Sequence, residues 1–130
     1  MARQYISKDL KKFVRDQIRS VFELEALLLL HGANRRSFTA AEIANELGFD
    51  PEVAQHHLAI LVANGLLAQF DTNEINYRYE PVDQDVATMV DQLAVGYAKQ
   101  RVPILSLILS ERPDRIRLFA EAFRLIKGTD

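Results

Sequence analysis

The chain has 130 residues, 48% of them apolar and 26% charged, a balance that excludes a disordered segment and supports one compact domain with its own core. It contains no cysteine, which excludes disulfides and thiolate metal centres, and apolar runs such as Ala26 to Leu30 are far too short to cross a bilayer, so no membrane partner is expected. The net charge of -2 hides an uneven layout: six bases against two acids in residues 1–20, three against ten in residues 21–83, and seven against six in residues 84–130.

From Ser7 to about Arg19, Leu10, Phe13, Val14 and Ile18 recur at helical spacing with cations between them, the pattern of an amphipathic helix. Ser20 followed by Glu23 has the form of a capping box and opens a second helix through "FELEALLLLHG", closed by Gly32 with His31 in its last turn. "ANRRS" is a loop. Thr39 and Glu42 repeat the capping box before a short helix, "AAEIANEL", whose inward face is Ile43, Ala44 and Leu47 and which Gly48 ends. Asp50 before Pro51 starts another helix two residues later, and Asn64-Gly65 ends it. Two helices joined by so tight a turn form a helix-turn-helix.

"LLAQF" and "INYRYEP" around the polar tip "DTNE" predict a hairpin. From Asp83 the positions Val86, Val90, Leu93, Ala94 and Tyr97 predict a long helix buried on one side, kinked or broken at Pro103. "ILSLIL" beyond the proline is apolar nearly all round, more than a lone small domain needs on an outer helix. Pro113 opens a last helix, with Ile116, Leu118, Phe119, Phe123 and Leu125 among its apolar positions.

The expected fold is mostly α with a small β-hairpin. It divides into an N-terminal amphipathic helix (1–19), a winged helix-turn-helix domain (20–81) and a C-terminal helical dimerisation region (82–130). The stretch "HHLAILVANGLLAQFDTNEINYRYEP" resembles the end of the recognition helix and the wing of the arsenical-resistance repressor (ArsR) superfamily, through His57-Leu58, Leu61, Gly65-Leu66 and Tyr77 or Tyr79. The terminal helices resemble, in arrangement, the dimerising helices of the multiple-antibiotic-resistance regulator (MarR) superfamily. The resemblance implies a cytoplasmic transcriptional regulator that binds double-stranded DNA as a homodimer, and not an enzyme.

The sequence departs from the ArsR pattern where a duplex would be met. Glu52, Gln55, Ala59 and Val62 occupy outward positions that the family commonly fills with Ser or Thr and then Lys or Arg. Phosphate neutralisation needs cations, and this helix has none. Asp71 and Glu74 likewise stand at the wing tip, leaving Arg78 as the wing's cation. The candidate DNA-binding residues are therefore Gln55 and His56 at base edges, and Arg35, Arg36 and Arg78 at phosphates. Asn64 is more simply a helix end, and the bases of residues 3–19 more simply the wet face of a dimer helix. A solvated helix face explains Gln55 and His56 equally, and a solvated loop explains Arg35-Arg36. The acidic middle and the small apolar surface of Ala59, Val62 and Ala63 keep a protein partner open as the alternative.

His56 and His57 do not chelate one metal ion together, since neighbours on a helix point about 100 degrees apart. His57 is expected to pack and hydrogen-bond internally. No nucleophile elbow, phosphate loop or His-Glu metal motif occurs, so no cofactor, metal or catalytic residue is expected.

Overall fold

The computed structural model describes residues 6–110, without the side chain of Ser110, so the helix expected from Pro113 onward lies outside the described residues. Ser7 caps helix α1 (Lys8–Gln17) by accepting the Leu10 N–H, and the apolar spacing of α1 becomes burial of Leu10 and Val14, followed by Ile18 beyond its end. Helix α2 (Val21–His31) is apolar almost all round and buries Phe22, Leu24, Ala26, Leu27 and Leu30, which makes it the axis of the core. Its start differs in detail from the expected box. Ser20 accepts the Glu23 N–H, but Glu23 turns back one residue further, to the Arg19 N–H at 2.8 Å, because its second oxygen is held elsewhere.

After α2 the chain enters a two-residue strand, β1 (Phe38–Thr39), which sequence periodicity did not reveal. Thr39 then caps α3 (Ala40–Leu47) in a complete capping box with Glu42. Gly48 ends α3 at φ 78°, a left-handed conformation that costs glycine nothing. Asp50 caps α4 (Pro51–Ala63), with Pro51 in its first turn. Strands β2 (Leu67–Asp71) and β3 (Ile75–Tyr79) form the hairpin, pairing Leu67 with Tyr79 and Asp71 with Ile75. Strand β1 joins the open side of β3, pairing Phe38 with Tyr77, so the sheet order is β1-β3-β2 and every pairing is antiparallel.

Asp83 caps α5 (Gln84–Lys99), and α6 (Arg101–Ser110) follows after a break at Gln100. The break precedes Pro103 by three residues. A proline ring clashes with the carbonyl four residues back, here that of Lys99, so α5 cannot run on through Pro103; a new helix that starts at Arg101 carries it in its first turn without losing a hydrogen bond. Ile104, Leu107 and Ile108 of α6 are buried with Leu10 and Val14 of α1 and with Val90 and Leu93 of α5. Three polar tethers bind this outer layer to α2. The Tyr97 hydroxyl donates to Glu25 at 2.8 Å, Arg101 lies 3.3 Å from the same carboxylate, and His31 Nε2 lies 2.8 Å from Asp91.

Candidate nucleic-acid interface

The rotation of α4 is set from inside. Ala54, Leu58 and Leu61, spaced four and three, are fully buried against the core, so the opposite midline, Glu52, His56, Ala59 and Ala63, faces water. Gln55 is exposed beside it, on the flank that faces the wing. There an open groove of about 300 Å³ runs between the start of α4 and the hairpin, lined by Pro51, Glu52 and Gln55 on one side and Glu74, Ile75 and Tyr77 on the other. The groove holds two carboxylates, and no lysine or arginine lines it.

The arginines expected at phosphates lie apart from that groove. Residues 75, 77 and 79 share one face of β3 and residues 76 and 78 the other; Ile75 and Tyr77 line the groove, so Arg78 points to the opposite face of the sheet. There its guanidinium donates to Glu80 at 2.7 Å and stacks over Phe70 at 4.5 Å. Arg36 stacks over Phe38 at 4.6 Å. The register of β1 against β3 runs the chain before Phe38 toward Tyr79, at the root of the hairpin. That places Arg35 and Arg36 about five strand residues, ~16 Å, from the tip acid Glu74. Arg35 is exposed in a loop where both Asn34 (φ 57°) and Arg35 (φ 70°) adopt the left-handed region. Of the five candidate residues, then, Gln55 and His56 share one helix face, while the arginines are distributed over the wing's far side and root.

His57 behaves as a packing residue. Its Nδ1 is 2.7 Å from Glu23 Oε2, and Glu23 is fully buried. Its ring is tilted against Phe22 at 5.6 Å and meets the His56 ring edge to face at 5.4 Å. Glu23 thus supports α4 from the core, a role that sequence reasoning, which placed it only as a cap, did not find, since nothing in the spacing announces a partner 34 residues away. Asn64 caps α4, and its amide donates to the Gln17 carbonyl at 3.2 Å, so it is engaged with the end of α1. Leu58, Leu61 and Leu66 are fully buried and hold α4 in place.

Burial raises the Tyr77 hydroxyl above its ordinary value, with Asp71 adding to the effect. Tyr79, beside His31 at 5.1 Å between ring centres, is pushed up to about 12, first by burial and then by the charge of Asp91. Both remain neutral at any physiological pH. Among the described residues no three His, Cys, Asp or Glu side chains come together as a metal site would require. No helix among them is long and apolar enough to cross a membrane.

No protein-family model matches the sequence, and neither does any curated protein. Solved structures do match the fold. A homodimeric winged helix-turn-helix DNA-binding domain from Mycobacterium bovis, described as a possible ArsR-family transcriptional regulator, is 23% identical with a TM-score of 0.54, covering 77% of this chain and 93% of that one. A mutant of MepR from S. aureus, solved bound to an oligodeoxyribonucleotide, is 12% identical with a TM-score of 0.54, covering 95% and 88%. A MarR family protein from Bacillus stearothermophilus is 13% identical with a TM-score of 0.51, covering 94% and 82%. At these identities the likeness establishes the winged helix-turn-helix fold, with both regulator architectures foreseen in the sequence represented among its neighbours.

Proposed function

We propose that this chain is a winged-helix regulator that binds double-stranded DNA as a homodimer, and that it is not an enzyme. The observation that carries the reading is the exposed midline of α4, presented by a buried Ala54-Leu58-Leu61 stripe directly after a helix-turn-helix turn and flanked by a hairpin wing. A helix so placed enters a major groove with its outward residues at base edges. Gln55 and His56 are the polar groups there, Gln55 matching the donor and acceptor pattern of adenine. Arg78, and Arg35 with Arg36, supply phosphate contacts from the wing's root and far face, Arg78 by exchanging Glu80 for a phosphate oxygen.

Dimerisation is supported by apolar groups left in water on the outer layer: Val95 is 56% exposed, Val102 70% and Leu109 53%. An open groove of about 620 Å³ between the start of α1 and the second half of α5, lined by Leu10, Val95 and Gly96, lies on the same layer. A two-fold axis there would pair two α4 helices, which reading successive major grooves requires to stand about one helical turn of DNA apart, ~34 Å.

Glu52 and Glu74 in the groove favour a second reading, in which the same face docks a protein. Titration of a labelled random duplex at low salt decides between them. The DNA reading requires binding whose affinity falls steeply with salt, and an Arg35/Arg36 double alanine that binds more weakly than wild type. Absence of binding at low salt, together with recovery of one stoichiometric protein from nuclease-treated extract, would establish the protein-docking reading instead.

A further inference from the structure

The chain has three histidines, and the structure sets two of them at joints between helices and the third on the exposed face of α4. His31 ties α2 to α5 through Asp91 and touches Tyr79 at the root of the wing. His57 ties α4 to α2 through the buried Glu23. His56 stands on the outward midline of α4, where no lysine or arginine occurs from Pro51 to Ala63. Its ring rests edge to face on His57 at 5.4 Å, and His57 is fixed in turn by Glu23, whose other oxygen accepts the Arg19 N–H. A carboxylate only accepts, so the His57 Nδ1 carries the proton of that bond. The orientation of the histidine pair is therefore set from the core outward.

The groove beside the pair is lined by carboxylates and by no lysine or arginine. Glu52 lies one turn before His56 on α4, whose N-cap is Asp50, and Glu74 stands across the groove; the elements packed against α4 carry Glu23, Glu25 and His31 on α2, Glu42 and Glu46 on α3, and Asp71 on β2. Arg19, whose backbone N–H donates to Glu23, is the base that precedes α2 in sequence. Imidazole is the side chain that becomes cationic between about pH 8 and pH 5. A polyanion bound against it favours the charged form, and by linkage the charged form favours the polyanion to the same degree.

We propose that binding of duplex DNA to α4 is coupled to proton uptake at His56, so that the interface is weak at alkaline pH and strengthens as the pH falls. The proposal rests on the DNA-binding reading above and adds its regulation. Protonation places a positive charge at the centre of a helix face that otherwise offers phosphate only carboxylates, and the His57–Glu23 pair holds the ring outward to present it. Glu23 and His57 are positioning residues; His56 makes the contact.

Fluorescence anisotropy of a labelled random duplex, at constant ionic strength between about pH 8 and about pH 5.5, tests it, with circular dichroism at each pH to verify an unchanged helix content. Wild type is expected to bind roughly tenfold more tightly at the acid end. His56→Gln should reduce that change to less than about threefold, His56→Lys should bind at both ends about as tightly as wild type does in acid, and His31→Gln should keep the wild-type profile. A wild type that binds with a flat profile, or a His56→Gln variant that keeps the full pH dependence, overturns proton coupling and leaves the DNA reading standing. Failure of wild type and His56→Lys to bind at any pH overturns the DNA reading itself.

Discussion

Glu23 is the fully buried charged side chain among the described residues, and removing it should reveal how firmly α4 is held. One oxygen takes the Arg19 N–H at 2.8 Å and the other meets His57 Nδ1 at 2.7 Å, so Glu23→Ala strips partners from two polar groups and leaves a buried void beside His57. Breaking a buried pair by deleting one partner costs about 3–5 kcal/mol. The His57 side chain keeps 23% exposure and regains some water, so the lower end applies, about 3 kcal/mol. Glu23→Gln keeps the volume and both hydrogen bonds, its amide oxygen accepting from Arg19 and its amide N–H donating to His57 Nδ1 once the imidazole shifts its proton to Nε2, and should cost about 1 kcal/mol. Adding His57→Ala to Glu23→Ala should cost little more, giving a coupling of about 2 kcal/mol in a double-mutant cycle. Urea unfolding followed by circular dichroism reads these differences from the midpoint at constant slope. A Glu23→Ala variant within about 1 kcal/mol of wild type, or a Gln variant as damaged as the Ala variant, would refute the claim that this pair pins α4.

Neutralising the groove with Glu52→Gln and Glu74→Gln should strengthen duplex binding. Each carboxylate removed from roughly 8 Å of a phosphate in water relieves about 0.5 kcal/mol, so four in a dimer amount to about 2 kcal/mol, near thirtyfold, in an anisotropy titration at low salt. Tyr79 should ionise late in an alkaline titration followed by tyrosinate absorbance, at about pH 12. The folded state then holds that proton after the unfolded state has lost it. Its contribution to stability is complete below about pH 10 and disappears as the pH rises to about 12; Tyr79→Phe should flatten that part of the pH–stability curve. The two left-handed glycines should separate in thermal melts. Gly48→Ala meets nothing within 4 Å and costs about 1–2 kcal/mol for the backbone alone, while Gly65→Ala adds a 3.1 Å approach to Val82 and should cost more.

Most of the fold was legible because it is written locally. Ser7, Ser20, Thr39, Asp50 and Asp83 each accept a backbone N–H at a helix start, and Gly32, Gly48 and Asn64 cap the helix ends. Strand β1 was not legible because two residues have no period, and Thr39 serves at once as strand end and helix cap. The Glu23–His57 contact was not legible for a different reason. Both partners were singled out, one as a cap and one as an internal histidine, but a contact across 34 residues is decided by how α2 and α4 pack, which no local pattern encodes.

Charge was the property that sequence reading represented least faithfully, and the consequence bears on function. Counting Arg35, Arg36 and Arg78 against the acidic middle treats all three as available at the face where DNA would lie. Two of them are stacked on aromatic rings, Arg36 on Phe38 and Arg78 on Phe70, and Arg78 is also paired with Glu80 on the far side of the sheet from the Gln55 groove. Alternation along β3 and the register of β1 thus remove cations from the groove while Glu52 and Glu74 stay in it. The local field is therefore more negative than the regional sum implies, and affinity for a duplex beyond what these three arginines supply from the wing's root and far face has to come from charge brought to α4 by another route. The dimer partner is one such route and a protonated His56 is another. They differ in what they predict, since a contribution from the partner subunit depends on protein concentration and one from His56 depends on pH.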